Sequence, residues 1–536
     1  MKYLLAGLTA LTIFIVLGHA PAKARDTSLL DEQLNSPDWL TFTGSQRTRF
    51  EVLNGRNVFN VNPLNRASLT NLNGDVFVSN EILSSGTIVG LVSLQTSIFA
   101  EADFGRMAFA AELMDSRSYT PVSYNSRNIV VGGNILAAPD SAFGVLPISN
   151  AVEPIQAYFA FRFPNNNLEL QIGRFTMHLG SGRLVGRSGF RTTINSFHGV
   201  KLNKQFGDDG SFTLFYALPH SKRSAEFQNQ ISYDVPDRRR HFWGLHYAHR
   251  QVFDAANLEA FVYGKLGDRR CFSTQLSRIF CAGPSLRGHQ ITPGIRLYRE
   301  KSIDAIDFEF EGAAQYSTES FLDPQQENRT AFFAHGEVGK FFHAPSQLHM
   351  SFLFDIATGR EEAFNTVVAS GSPFSITRRT GFPAFDPLFG VFDNDFGPEG
   401  LYGVFSRTDL ISPAMRLSAA PNRWLDFQIT YRAVRQFYPQ PEFLPEFVIL
   451  APDGSLRAAT ENNARWGHQI DLKADINLIS DHVVLSLGGA FLTRKDREEF
   501  DFVRLLNRFL ATGLIESADN FRSNTFYGYS SITLNF

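Results

Sequence analysis

Residues 173–202 carry Arg174, Arg183, Arg187 and Arg191 among closely spaced glycines, with no acid between them. A guanidinium is a planar fork that makes two parallel bonds to a carboxylate or phosphate, so this stretch points to anion binding. Nothing comparable suggests covalent chemistry. The sequence has no G-x-S-x-G, no H-E-x-x-H and no spaced Cys/His ligand set, so neither an enzyme nor a metal or cofactor site is expected. His335 and His349 fall on polar strand faces, where wall polarity accounts for them. Cys271 and Cys281 share one long connection of a chain that reads as exported, which predicts a disulfide pinning a loop, worth at most about 3 kcal/mol.

These residues sit in a chain of 536 residues, 43% hydrophobic and 19% charged, with 50 Lys+Arg against 53 Asp+Glu. That composition excludes disorder, and the balanced charge without a long basic run excludes electrostatic binding to nucleic acid. Phenylalanine occurs 52 times, an excess that must be placed somewhere apolar.

The first twenty-four residues read as a cleaved export signal: Lys2, an apolar stretch from Tyr3 to Leu17, then Ala22-Lys23-Ala24 as a small-x-small cleavage pattern. The stretch is shorter than the roughly 18 residues that span a bilayer. Losing Lys2 and Lys23 with no acid takes the formal charge from −3 to −5. No later apolar run is long enough for a membrane helix, so residues 25–536 form either a soluble exported protein or a single barrel.

Period-two alternation selects the barrel. In Leu40 to Val52 the even positions are mostly apolar, while the odd positions Thr41, Thr43, Ser45, Arg47, Arg49 and Glu51 are polar. The same beat recurs in Ile306 to Ala314, Leu425 to Ala433 and Ile470 to Leu478. Charges at every second position need water, so the Phe-rich face must meet lipid or a partner sheet. About eighteen such segments follow one another, near 40–53, 83–98, 106–118, 152–163, 168–177, 196–206, 211–217, 240–250, 257–266, 289–299, 305–316, 328–342, 347–357, 408–420, 424–435, 467–479, 483–493 and 525–536.

Their connections alternate between tight turns, such as Pro164-Asn165-Asn166-Asn167 and Gly207-Asp208-Asp209-Gly210, and long stretches, such as 119–151 and 358–407. Sorting all tight turns to one end is the asymmetry of an outer-membrane barrel with short periplasmic turns. The last segment ends in Phe536 on one apolar parity, resembling the signal read by the barrel insertion machinery. The expected fold is therefore all-β, a transmembrane outer-membrane barrel of about 18 antiparallel strands, wide enough for an aqueous lumen.

Parity projects Arg47, Arg49, Arg162, Lys201, Lys265, Arg296, Arg416, Arg432 and Lys473 inward. It does the same for the acids Glu51, Glu112, Glu169, Glu259, Asp307, Glu309, Glu311, Glu337, Asp355, Asp426, Asp471 and Asp475, many of which would pair with them across strands. Arg174 shares the parity of outward Leu170 and Ile172 and turns inward only if the chain kinks at Gly173. The block bearing Arg183, Arg187 and Arg191 either folds into the lumen as an anion-binding surface or lies at the rim against lipopolysaccharide phosphates. Arg238-Arg239-Arg240 reads as such a rim contact, and the Gly-, Phe- and Pro-rich loop 358–407 is long enough to fold in and narrow the pore.

Five stretches, in order, resemble motifs of the alginate export family of outer-membrane proteins: Ala111-Glu112-Leu113-Met114-Asp115-Ser116-Arg117, Gly173-Arg174 through Arg183, Ser196-Phe197-His198-Gly199-Val200-Lys201-Leu202, Phe385-Asp386-Pro387-Leu388-Phe389, and Ser406-Arg407-Thr408-Asp409-Leu410 followed by Pro421. The resemblance implies an eighteen-stranded barrel passing a polyuronate or similar acidic polysaccharide through an arginine-lined constriction. It points to Arg174 and Arg183 as pore residues, with Glu112 and Asp115 as structural partners. It also implies an anionic polysaccharide as partner, periplasmic polysaccharide-synthesis proteins to supply it, and contact with outer-membrane lipid. The turn near Ser480-Asp481 is very short, whereas the better-known exporters would carry a long periplasmic gating loop there. A nutrient porin, or a surface-binding barrel acting through its outer loops, is the alternative.

Overall fold

The computed structural model describes residues 34, 36–54, 88–119, 151–221, 231, 233–253, 256–269, 286–303, 305–319, 327–342, 347–359, 385–391, 395–398, 405–437, 466–479, 482–495 and 524–536, with short paired stretches within 69–77, 128–137, 363–380 and 440–463. The export signal at 1–24 and the pair Cys271 and Cys281 lie outside the described residues.

Eighteen long strands form one antiparallel sheet that closes on itself. In chain order they are β1 (Leu40–Asn54), β2 (Ile88–Asp103), β3 (Met107–Tyr119), β4 (Glu153–Phe163), β5 (Leu168–Phe175), β6 (Phe197–Phe206), β7 (Gly210–Ser221), β8 (Arg240–Phe253) and β9 (Ala256–Arg269). They continue as β10 (Leu286–Arg299), β11 (Ile306–Glu319), β12 (Glu327–Phe342), β13 (Leu348–Ala357), β14 (Leu410–Asn422), β15 (Leu425–Arg435), β16 (Trp466–Ile479), β17 (Val483–Lys495) and β18 (Asn524–Asn535). Each expected segment has its strand; the largest difference is β2, read at 83–98 and found five residues later. A two-residue strand, Val235–Pro236, pairs with the end of β7.

The seam is β1 against β18, in register from Ser45 opposite Asn535 to Asn54 opposite Phe526. Beyond it Gly44 and Phe536 exchange backbone hydrogen bonds of 2.6 and 2.9 Å. A Cβ on Gly44 would sit 2.3 Å from the Phe536 ring, so only glycine lets that ring lie across the seam.

Turns of two to six residues alternate with connections of seven or more, so one end of the barrel carries only tight turns. At the β4–β5 turn Asn167 takes the left-handed conformation (φ 47°), which asparagine tolerates better than most residues. Burial alternates as period two requires; in β13 the buried positions are His349, Ser351, Leu353, Asp355 and Ala357, whereas Phe352 and Phe354 are exposed. The exposed face is the lipid face. Near the tight-turn end it carries Trp39, Phe104, Phe163, Phe206 and Trp424, and near the other end Tyr119, Tyr216, Tyr316 and Tyr431, two aromatic girdles of the kind that bracket a hydrocarbon layer. Trp39 stacks on Phe104 at 5.4 Å, and Tyr216 and Tyr431 hydrogen-bond His241 and His468 at 2.6 and 2.8 Å.

The lumen differs from a uniformly wetted wall. Phe197, Phe215, Phe242, Phe261, Tyr263 and Phe333 point inward from β6–β9 and β12 and are buried with Leu184, Val185 and Phe385. They meet protein, because two connections fold into the barrel and cover them. Each fully buried ring contributes roughly 1.5–3 kcal/mol toward keeping these connections inside.

Candidate functional site

The two inward connections are residues 176–196, between β5 and β6, and the described parts of 385–409, between β13 and β14. They join each other by backbone: Gly186 N–H donates to Phe389 O, Phe389 N–H to Leu184 O and Val391 N–H to Gly182 O, each at 3.0 Å. A Cβ on Gly390 would lie 1.8 Å from Arg183 O, so glycine permits this approach. Phe389 packs on Phe242 and Phe197 with ring centroids 4.7 and 5.0 Å apart, and Phe385 on Phe333 at 5.5 Å. The basic glycine-rich block thus lies inside the barrel, and part of the 358–407 loop with it.

Arg183 is the hub. Its Nε donates to Asp395 Oδ2 at 2.8 Å, and its Nη1 donates to Glu311 Oε2 at 2.9 Å and also bonds Glu309. Its Nη2 lies 2.9 Å from His335 Nε2. Since a guanidinium cannot accept, Nε2 must, and the ring proton sits on Nδ1, donating to Asp355 Oδ1 at 2.7 Å. Asp395 also binds Arg407, whose Nη1 donates to Val391 O at 2.6 Å, and its backbone oxygen accepts from Arg432. Arg432 further reaches Asp355 (3.3 Å) and Ser412 (2.9 Å). Burial alone would raise the Asp395 carboxyl, but Arg183 and Arg407 outweigh it and hold it well below the usual carboxylate range. Burial pulls Arg183 down in the same way, and Asp395, Glu309 and Glu311 more than restore it.

Glu309, His335 and Glu337 bring one ligand atom each within 4.8 Å of one another, a spacing that could suit a divalent ion. Arg183 bonds two of those three residues, so the cation this cluster holds is a guanidinium.

Arg187 of the same block reaches across to the opposite wall, and the backbone of Arg191 is bonded there. Arg187 donates both Nη groups to Glu112, at 2.5 and 3.0 Å, and also reaches Thr176 Oγ1; its side chain stays 31% exposed. Arg47 on β1 donates to Gly189 O and to Arg191 O (2.9 Å), while Arg49 pairs with Glu51 at 3.0 Å and lies 4.1 Å over the Phe190 ring. On the wall, Arg162 binds Glu101, Asp103 and Glu169, Arg296 binds Glu259 (3.1 Å) and Glu309 (2.7 Å), and Asp307 Oδ2 lies 2.8 Å from His349 Nε2. Lys265 reaches Asp386 at 2.6 Å, Arg416 reaches Glu337 at 3.5 Å and Lys473 reaches Asp475 at 2.9 Å. Lys201 faces inward opposite Gln171 and Phe215.

Two residues sit elsewhere than expected. Gly173 does take φ 136°, yet the pairing register runs through it unbroken, and Arg174 lies opposite exposed Ala157 and His198 on the outward face. There it is buried against Glu153 (2.5 Å) and Ser196 (2.8 Å), so it does not line the lumen. Asp115 shares the outward face of exposed Leu113 and pairs with Arg117 at 3.0 Å near the outer end, which makes it a rim residue and not a lumen acid. Arg240 pairs with Asp237 at 3.2 Å at the same end. Sequence reasoning missed Asp395 as an anchor and assigned no role to Arg407 beyond its motif. The available signal was an acid between Asn394 and Phe396 in a loop already expected to fold inward.

No curated protein matches the chain. Among solved structures, Pseudomonas aeruginosa OpdK with vanillate is similar at a TM-score of 0.49 and 8% identity, covering 92% of this chain and 98% of that one. Acinetobacter baumannii OccAB1 is similar at 0.49 and 8%, covering 93% and 97%, and Pseudomonas aeruginosa OccK3 (OpdO) at 0.46 and 12%, covering 92% and 95%. Scores of this size add nothing to a topology already given by the strand pairing. The family model for alginate export matches residues 77–494, more than three quarters of the sequence, and the chain belongs to that family of outer-membrane channels.

Proposed function

We propose that this outer-membrane channel passes an acidic polysaccharide, a polyuronate or its fragments, by passive diffusion. The observation that carries the reading is the pair of inward arginines on residues 176–196, Arg183 and Arg187, of which Arg187 keeps its guanidinium partly open while gripping Glu112. Glu112 is buried and stays on the arginine, so a carboxylate of the substrate meets the open edge of the guanidinium beside it. Partly exposed ion pairs are worth about 0–1 kcal/mol, so each step is shallow, and a chain held by many shallow sites slides onward.

Export through the leader at 1–24, delivery to the insertion machinery, outer-leaflet lipopolysaccharide at the rim and periplasmic synthesis proteins as suppliers belong to the same reading. Planar-bilayer recording tests it. Anion preference, with block by added polyuronate that weakens several-fold in Arg187→Gln, is expected; cation preference without block would end it.

A second reading is favoured by the aromatic residues that the inward connections cover, since they narrow the lumen below what eighteen strands allow. A small-solute porin would pass neutral disaccharides in liposome swelling as fast as uronates of the same size.

A further inference from the structure

Every other inward cation named above has a hydrogen-bonding or ion-pairing protein partner; Lys201 has no such partner among the described residues. Its ammonium makes no hydrogen bond or ion pair among the described residues, and it is not one of the sealed polar atoms, so it opens to the lumen. Its surroundings are apolar on one side, with Nζ 5.3 Å from the centroid of the fully buried Phe175 ring and Phe215 directly opposite on β7. Glu169 on the adjacent strand uses both oxygens elsewhere, Oε2 on Arg162 (3.1 Å) and Oε1 on Gln171 (2.7 Å) and Asn203 (3.5 Å). Phe197, where the inward connection rejoins the wall, begins β6, and Lys201 lies four residues further toward the tight-turn end. At about 3.3 Å per residue its Cα lies roughly 13 Å along the tilted strand from Phe197, and the side chain reaches back to the Phe175 ring, so the ammonium sits just beneath the crossing segment on its periplasmic side.

We propose that Lys201 is a carboxylate-binding subsite of the inner wall, the first cation without a contacting carboxylate that a uronate meets on its way to the inward arginines. The inference rests on the acidic-solute reading and deepens it. An ammonium half withdrawn from water beside apolar rings gains more from a carboxylate than a solvated one does, because part of its desolvation is already in place. The paired arginines keep their buried carboxylates; Lys201 offers net attraction.

The full barrel is reconstituted in planar bilayers and the reversal potential is read in a potassium glucuronate gradient. Lys201→Gln lowers the glucuronate-to-potassium permeability ratio about five-fold, the size of one partly exposed ion pair, while Lys201→Arg keeps it. An unchanged ratio in Lys201→Gln, with wild type preferring glucuronate, overturns the subsite and leaves the channel's function standing. Wild type that prefers potassium overturns both. Amine acylation of the wild-type barrel, read by mass spectrometry, needs no variant to fold: glucuronate protects Lys201 from modification, and absence of protection overturns the subsite.

Discussion

Replacing Asp395 by Asn tests whether the inward connections are held by the Arg183 hub. The carboxylate is 4% exposed and lies between two guanidiniums, those of Arg183 and Arg407. Removing one partner of a buried ion pair costs about 3–5 kcal/mol, mostly because the remaining charge is left uncompensated. Arg183 keeps Glu309 and Glu311, and Asn still accepts a hydrogen bond, so the low end applies, about 3 kcal/mol. At about 1.4 kcal/mol per factor of ten, that is roughly two orders of magnitude in the equilibrium between docked and released segments. The amides of Gly186, Phe389 and Val391, which cross-link the two segments, exchange with deuterium about 100-fold faster in Asp395→Asn, and single channels show added open-state flicker. The double variant Asp395→Asn with Arg407→Met removes the stranded charge and recovers much of the protection. If the three amides keep wild-type protection in the single variant, the hub does not hold the segments and the apolar contacts of Phe385 and Phe389 suffice.

The same carboxyl fixes a pH response. Its folded value is depressed, so its stabilisation is complete above the unfolded value near 3.9 and is lost as pH falls through the folded one; the protection of the Gly186, Phe389 and Val391 amides therefore falls only below about pH 4. Gly44→Leu drives a side chain into the Phe536 ring, an overpacking cost of about 1–3 kcal/mol at the seam, read as a lower urea midpoint for the detergent-folded barrel. Phe385→Ala removes a buried ring packed on Phe333 and costs about 3–5 kcal/mol of docking, with faster exchange at Phe389 and unchanged exchange in β14.

The strands were legible because period two is a local property: Arg47, Arg49 and Glu51 alternate with Phe50 and Val52 whatever surrounds them. The turn asymmetry was legible for the same reason, and it fixed which end is which. Loops obey no such period. That 176–196 lies inside followed from its lack of acids only as one of two options. The choice was made by Glu309 and Glu311 on β11 and Glu112 on β3, residues 75 to 128 positions away in sequence from the arginines they bind.

The sequence by itself thus determined a closed amphipathic barrel with an inward-facing mixture of charges, because lipid outside and polar groups inside are imposed residue by residue. Only the tertiary structure decided which charges remain active. Arg183 is neutralised by two acids of one strand and a third from a distant loop, Arg174 stays outside because one unusual φ at Gly173 did not shift the register, and Lys201 is left without a carboxylate in contact among the described residues. Pairing is a matter of distances across the lumen, and a linear sequence does not contain them.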